Sequence, residues 1–287
     1  HAALANATMA RALEIDDAHE QAMSHLTCSM APIALAVAES LGGIPGKDFL
    51  TAVVLGNDLA IRIAVAPRAD VSAGRAARRT QSHTYHVASL VGALVAGKVR
   101  GFDALALQNA LGIAYSQCAG NLQGVAEGAL TVRAQQGLSS MAGVVSADLA
   151  GAGITGALES LTGPCGYYAA LHGGHYDPGA LTDRLGDYYT VEEISIKPYP
   201  CCRHIHTAAA AAEQAIRDHA IRPEQVEKVT LRVLNREYFD VVCTPLDKDE
   251  HRAAILSDRG WVHAQMSMPF VVAAALCDGR VRLDRFA

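Results

Sequence analysis

Aromatic residues are scarce in this chain, making up 5% of its 287 residues, with a single tryptophan and five phenylalanines. Hydrophobic residues still account for 51% of the sequence. That fraction is enough for a large core and for two domains. Because bulky rings are rare, the core must be built from Ala, Val and Leu, which allow helix backbones to approach one another closely.

The sequence also lacks a long uninterrupted apolar run and an excess of basic residues. Gly, Ser, Asn or charged residues break each apolar stretch within a membrane-spanning length, so no transmembrane helix is predicted. The net charge is −5, which argues against a nucleic-acid-binding surface. We interpret the short basic run at 75–79 as a solvated loop.

The seven cysteines have no framework spacing and two of them are adjacent, a pattern that favours a reducing, cytosolic compartment. Cys201, Cys202, His204 and His206 lie close enough in sequence to suggest zinc. Adjacent cysteines rarely bind one ion, however, and no second CxxC or HxxxH pair occurs, so we do not favour a metal site.

Small and aliphatic residues recur at helical spacing through the first two-thirds of the chain. No alternation of strands and helices interrupts this pattern, so we predict a large all-helical domain. The predicted helices are 2–16, 31–41, 48–66, 87–99, 103–119 and 137–150.

The composition changes near 183–189, and two segments then show a strand pattern. Ile194–Ile196 is β-branched around one polar residue, and Val229–Leu234 alternates apolar and polar residues. Predicted helices at 207–220 and 266–276 complete a smaller α+β domain. We therefore place domains at 1–187 and 188–287. We expect the second to be incomplete, because the chain lacks an initial methionine and ends without a polar tail.

The densest group of reactive side chains lies in the run from Lys197 to His206. Pro198 and Pro200 stiffen this connection between a predicted strand and a predicted helix. A rigid turn that carries Lys197 and Arg203 can present cations to a small anion with little entropy left to lose. A purely structural turn is the alternative. A lysine on a solvent-facing turn packs against little, so we expect its removal to leave stability almost unchanged.

Two further groups lie in the helical part. Glu14, Asp16 and Asp17 crowd the end of the first predicted helix, and His25 follows eight residues after Asp17. Carboxylates beside an imidazole can tune a general acid or base; the alternative is an exposed acidic helix end beside a surface histidine. His83 comes just before another predicted helix, where free backbone N–H groups favour an anion.

The order and spacing of these segments resemble the MmgE/PrpD family, which includes 2-methylcitrate dehydratase, cis-aconitate decarboxylase and iminodisuccinate epimerase. The similarity covers nearly the whole chain and is specific for the family rather than for one reaction. The matching segments are 14–17 with His25 and Pro32, 81–84 leading to Gly92, 109–114, 197–206, 264–270 and 276–281.

The resemblance implies a helical domain with a lid-like α+β domain, an active site between them and a homodimer. It also implies a small polycarboxylate substrate and no metal or organic cofactor. Carried over by position, the catalytic residues would be His25, His83 and Lys197, which we expect around one cavity, with Asp17 supporting His25. The substrate-binding residues would be Glu14, Arg133, Arg203 and His206.

This chain departs from the family pattern at four motif positions. Glu14 is one methylene longer than the usual aspartate, and Ala18 lacks the usual hydroxyl. Val132 and Gln135 replace a lysine and a histidine, and we expect Arg133 to supply the charge from the next position. These departures weigh against cis-aconitate decarboxylation and against strict 2-methylcitrate specificity.

We therefore expect a cytoplasmic, cofactor-independent lyase, a dehydratase of a small hydroxy-polycarboxylate similar to 2-methylcitrate dehydratase. It would act by removing a proton next to a carboxylate. The alternatives are an epimerase, isomerase or decarboxylase of a related dicarboxylate, and a catalytically silent homologue that binds a carboxylate. We expect neither nucleic acid nor membrane as a partner.

Overall fold

A computed structural model describes residues 1–67, 83–233, 242–243, 246, 248–258 and 260–286. The chain divides into two compact units. We name them the helical unit, formed by His1–Ala12, Asp16–Leu122 and Arg133–Ile196, and the C-terminal unit, formed by Leu13–Ile15, Gln123–Val132 and Lys197–Ala287. Two short segments of the C-terminal unit, Leu13–Ile15 and Gln123–Val132, therefore interrupt the helical unit in sequence.

Long helices rich in Ala and Gly build the helical unit, as the sequence predicts. The mainly α class is confirmed. Its helices are α1 (Ala2–Ala12), α2 (Thr27–Ser40), α3 (Gly46–Val65), α4 (His83–Val99), α5 (Ala104–Tyr115), α7 (Thr131–Gly151), α8 (Tyr167–His172) and α9 (Pro178–Thr182), with a 3₁₀ turn at Thr190–Glu193.

Helix α4 lies at the centre of this unit and packs on α2, α3 and α5. Nearly all of its residues are buried. Small residues let other backbones approach it closely: a Cβ placed on Gly143 of α7 would lie 2.8 Å from the carbonyl carbon of Gly92 in α4. The apolar core around α4 includes Met30, Ile33 and Ile61.

The C-terminal unit contains shorter helices around a second apolar core. Helix α10 packs on α13, and the buried core includes Cys201, Ile205 and Val271. The helices are α6 (Gln123–Glu127), α10 (His206–His219), α11 (Asp249–Ile255), α12 (Gly260–Gln265) and α13 (Met268–Asp278), with 3₁₀ turns at Arg203–Ile205, Pro223–Gln225 and Leu283–Phe286.

The two predicted strands are not strands in the part of the chain that is described. Within Ile194–Ile196, only Ser195 pairs, through an isolated antiparallel bridge to Ala18. Residues 229–233 form no ladder, and Leu234 lies outside the described residues. A strand needs a neighbour to satisfy its backbone, and no described residue pairs with 229–233.

The first predicted helix is too long: α1 ends at Ala12 rather than at residue 16. Glu14 follows with a φ of 56°, in the left-handed region that an L-residue adopts at a cost. The acidic residues that come next therefore lie on irregular backbone, where side chains can face different neighbours. The domain boundary near residue 187 stays a prediction. Every helix in the described ranges is too short or too polar to cross a membrane.

Candidate active site

His25 lies in the helical unit, on the segment between α1 and α2, and its ring is fixed on one side. Its Nδ1 atom is 2.8 Å from the backbone oxygen of Asp17 and 3.0 Å from a carboxylate oxygen of Asp16. The His25 backbone N–H donates to the hydroxyl of Thr84 at 3.2 Å, which ties this segment to the start of α4. The His25 side chain keeps 17% of its surface exposed.

The two neighbouring carboxylates have different partners. Asp16 is buried and accepts two hydrogen bonds from one guanidinium nitrogen of Arg11, at 2.8 and 3.1 Å. The carboxylate of Asp17 instead accepts from the backbone N–H of Thr27 at 3.1 Å and from its hydroxyl at 2.9 Å. It thus satisfies a free N–H at the first residue of α2. The carboxylate that reaches His25 is therefore that of Asp16, whereas the sequence predicts Asp17 as its support.

His83 begins α4 and is nearly buried. Its Nδ1 atom lies 3.1 Å from the backbone oxygen of Ala64. Its ring stands edge-on to that of His172, with centroids 5.1 Å apart. The residues just before it, including Gln81 and Ser82 of the predicted motif, lie outside the described residues.

The tautomers of both histidines follow from their partners. A backbone carbonyl can only accept a hydrogen bond, so the Nδ1 atom that faces it must carry the proton. In neutral His25 and His83 the lone pair therefore lies on Nε2. His25 and His83 thus share one arrangement, in which a backbone carbonyl fixes the tautomer.

Lys197 belongs to the C-terminal unit and is buried, contrary to the prediction of a solvent-facing turn. Its Nζ atom donates to a carboxylate oxygen of Glu14 at 2.8 Å, and the two side chains are 0% and 1% exposed. A buried ammonium needs such a partner because an unpaired charge is strongly disfavoured away from water. The expectation of a solvent-facing Lys197 is therefore wrong, and we now expect its removal to lower stability.

His206 lies at the start of α10 and is buried. Its Nε2 atom faces the backbone oxygen of Cys201 at 3.2 Å. Burial lowers the pKa of His206 to about 4, and the charges of Arg203 and Lys197 act in the same direction. His206 is thus neutral near pH 7, with its proton on Nε2. Arg203 begins the short 3₁₀ turn that precedes α10 and is partly exposed.

Cys201 and Cys202 do not form a metal centre with their neighbours. Burial raises the pKa of the Cys201 thiol, which disfavours the thiolate that a metal requires. Across the described ranges, no group of three or more His, Cys, Asp or Glu side chains is arranged to hold a metal ion. All seven cysteines are free thiols.

The segment that departs from the family pattern forms the start of α7. Val132 is 1% exposed and Arg133 is 3% exposed. The side-chain oxygen of Gln135 accepts from the backbone N–H of Asn121 at 2.8 Å, and its amide donates to the Asn121 carbonyl at 3.2 Å. Gln135 therefore holds a loop of the helical unit, a role that uses both ends of its amide.

Comparison with known proteins agrees with the resemblance across both units. The MmgE/PrpD N-terminal domain matches residues 1–178, and the MmgE/PrpD C-terminal domain matches residues 199–287. A cis-aconitate decarboxylase of Aspergillus terreus is 26% identical over 306 residues, which cover 100% of this chain and 59% of the relative. A cis-aconitate decarboxylase-like protein of Aspergillus oryzae is 25% identical and covers 99% of this chain and 60% of the relative. The chain thus spans about three-fifths of the length of these relatives, and the two matched domains show that it belongs to the MmgE/PrpD family.

Proposed function

We propose that the protein is a lyase of small polycarboxylates, and more narrowly a dehydratase of a hydroxy-polycarboxylate similar to 2-methylcitrate. The observation that carries this proposal is the shared arrangement of His25 and His83, whose Nδ1 atoms each face a backbone carbonyl. Both imidazoles, when neutral, therefore carry their lone pair on Nε2. Imidazole exchanges protons near neutral pH, as removal of a carbon-bound proton requires.

The proposed reaction needs one base and one acid. A neutral imidazole removes a proton from the carbon next to a substrate carboxylate. The electron pair of that C–H bond forms the new C=C bond while the C–O bond of the neighbouring carbon breaks. The departing hydroxide takes a proton from an acid and leaves as water. We assign the first role to His25, whose Nδ1 side also meets a carboxylate, and the second to protonated His83.

Negative charge develops on the substrate carboxylate as the proton leaves. A cation placed at that oxygen stabilises the transition state more than the ground state. We assign this role to Lys197, with the incoming carboxylate sharing or replacing the contact that Glu14 makes. Arg133, Arg203 and His206 are our candidates for binding the remaining polar groups of the substrate. Neutral His206 suits a hydroxyl better than a carboxylate, because its Nδ1 can only accept.

Decarboxylation of a cis-aconitate-like acid is the second candidate, favoured by the names of the relatives. In that reaction the bond to one carboxylate breaks, CO₂ leaves, and the electron pair remains on carbon until an imidazolium returns a proton. The same histidines and the same cation serve this reaction. Val132 and Gln135 count against it, because they replace a lysine and a histidine of the family pattern.

Incubation of the protein in deuterium oxide with a panel of citrate-like acids separates these reactions. Deuterium exchange with new alkene absorbance identifies a dehydratase, whereas release of CO₂ with deuterium in the product identifies a decarboxylase. Exchange with loss of stereochemistry alone identifies an epimerase. Ligand-induced thermal stabilisation without any exchange would identify a carboxylate-binding homologue and would overturn the proposal. Repeating the assay after dialysis against EDTA tests the expectation of a cofactor-independent reaction.

A variant of His25 tests the assignment of the base. His25→Gln should lower the exchange rate roughly 100- to 10,000-fold, the usual contribution of a general acid or base. His175→Gln is the matched control, because His175 is an exposed histidine of the same unit and should leave the rate unchanged. An equal rate in the His25 variant and the control would remove His25 from the mechanism. The homodimer and the cytoplasmic location stay predictions, which light scattering and fractionation can test.

A further inference from the structure

Asp16 connects two charged or chargeable groups that belong to different segments of the helical unit. One oxygen of its carboxylate is 2.8 Å from Nη1 of Arg11, and the other is 3.0 Å from Nδ1 of His25. The side chains of Arg11 and Asp16 are 7% and 2% exposed. Arg11, Asp16 and His25 thus form a continuous chain that ends at the partly exposed imidazole.

The two acceptors at Nδ1 of His25 differ in charge and therefore in their effect on the ring. The backbone oxygen of Asp17, at 2.8 Å, fixes the tautomer but carries no net charge. The carboxylate of Asp16 adds a negative charge on the same side of the ring. When Nε2 takes up a proton, the ring becomes an imidazolium, and only a charged neighbour favours that form strongly.

We propose that Asp16 is the positioning residue of the His25 base and stabilises the imidazolium that forms when Nε2 accepts the substrate proton. The inference rests on the proposed function of His25. In this step the C–H electron pair stays with the substrate, the proton moves to Nε2, and the proton on Nδ1 stays where it is. Asp16 remains a carboxylate throughout.

Arg11 weakens the stabilisation that the Asp16 carboxylate gives to the His25 imidazolium. A guanidinium is always charged, so it holds part of the Asp16 negative charge that would otherwise act on His25. The charged or titratable groups that face the ring are then Asp16 directly and Arg11 through Asp16, while the Asp17 carboxylate is turned to Thr27. Removing Asp16 and removing Arg11 should therefore shift the basicity of His25 in opposite directions. If the Arg11–Asp16 pair had a purely structural role, both substitutions would shift the basicity of His25 in the same direction.

The test compares Asp16→Asn, Arg11→Met and the control Asp103→Asn in the intact chain. Asp103 is an exposed aspartate of the helical unit that caps the start of α5. The measurements are the pH profile of the deuterium-exchange rate on the best carboxylate substrate, with kcat and KM determined separately. Asp16→Asn should lower the plateau kcat roughly tenfold and move the acid limb of the profile to lower pH by about one unit, the lower end of the effect of an opposite charge nearby. KM should stay within about twofold, since a positioning residue does not touch the substrate.

Arg11→Met should move the acid limb the other way, to higher pH, because it leaves the Asp16 charge unshared. Asp103→Asn loses the same formal charge but weakens only the start of α5, so its acid limb should not move. Shifts in the same direction for Asp16→Asn and Arg11→Met, or an equal shift for Asp103→Asn, would overturn the proposal.

The pH dependence of the His25 ring-proton resonances in NMR spectra of the same variants separates the inference from the proposed function. The ring-proton titration curves of His25 could shift in opposite directions in the Asp16 and Arg11 variants while the deuterium-exchange rate stays unchanged. That result would support the Asp16–His25 coupling and refute His25 as the base. Unchanged ring signals in both variants would refute the coupling itself. All comparisons should be made below the melting temperature of the least stable variant.

Discussion

The candidate base in the helical unit and the candidate cation in the C-terminal unit differ in how far they are buried. In the helical unit, the Arg11–Asp16 pair supports His25, which keeps 17% of its side chain exposed. In the C-terminal unit, Glu14 and Lys197 face each other with 1% and 0% exposure. The first arrangement leaves part of an imidazole exposed, while the second pairs both charges away from solvent. Under the proposed function, the Lys197 ammonium would therefore have to share or lose its carboxylate partner before it could bind a substrate.

Both units also bury charged side chains in their interiors. The C-terminal unit buries Lys197, His206 and Glu213, and the helical unit buries the Asp58–Arg62 pair at 3% exposure each. Burial lowers the pKa of His86 in the helical unit, so the stability of both units should depend on pH. The helical unit has, in addition, close backbone contacts between small residues, as at Gly143, which make its stability sensitive to side-chain volume.

The largest expected effect concerns the buried pair of the C-terminal unit. Lys197→Met should lower the free energy of unfolding by about 3–5 kcal/mol, because it removes the ammonium that pairs with the buried Glu14 carboxylate. The double variant Glu14→Gln with Lys197→Met should recover most of that loss, since two neutral side chains of similar size need no counter-charge. Urea unfolding measures both.

Lys98→Met is the control for this series, because Lys98 is exposed in α4 and should change stability by no more than about 0.5 kcal/mol. Equal stability of the Lys197 and Lys98 variants would contradict a stabilising role for the Glu14–Lys197 pair. It would show that the ammonium is as dispensable as one on a solvent-facing turn.

A smaller effect is expected from His206 as the pH falls. Burial lowers its pKa from 6.5 to about 4 in the folded protein, so between these values the unfolded chain binds a proton that the folded chain does not. Stability is then complete above the unfolded value and is lost as the pH drops through this window. The expected loss between about pH 7.5 and about pH 4.5 is about 2–3 kcal/mol.

His206→Gln should flatten this dependence, because a glutamine amide can donate to the Cys201 carbonyl without titrating. His219→Gln, at the exposed end of the same helix, should keep it. The measurement is urea unfolding of each variant across the pH range. A slope that is equally steep in both variants would show that another group causes the acid sensitivity.

Most helices could be predicted from the sequence because small and aliphatic residues repeat at helical spacing. The predicted helix at 48–66 corresponds to Gly46–Val65, and that at 207–220 corresponds to His206–His219. The first predicted helix is too long because Leu13 and Ile15 continue the apolar pattern in sequence. In the structure α1 ends at Ala12, and Glu14 has a left-handed backbone. The strand predicted at 229–233 has no partner among the described residues, because alternation describes one segment while a strand also needs a neighbour to pair with.

The candidate site could be predicted as a set of residues but not as a set of contacts. Motif positions singled out His25, His83 and Lys197, and the first two have the same Nδ1 arrangement. Adjacent carboxylates look alike in sequence, so only the path of the backbone after α1 decides that Asp16 rather than Asp17 reaches the ring. The burial of Lys197 was missed because its partner Glu14 lies 183 residues away, where no local pattern can indicate it.

The smallest of these effects tests the packing of the helical unit. Gly143→Ala would place a Cβ 2.8 Å from the Gly92 carbonyl carbon and 2.9 Å from the Ala93 nitrogen, so α7 and α4 must move apart. Overpacking of this kind costs about 1–3 kcal/mol, more than alanine gains from its higher helix propensity. Gly46→Ala is the matched control, because a Cβ there meets nothing within 4 Å. Thermal and urea unfolding should show a loss for Gly143→Ala at every pH, and no loss for Gly46→Ala. A loss at Gly143 that appears only in acid would assign it to a buried titrating group such as His86 and would refute overpacking as its cause.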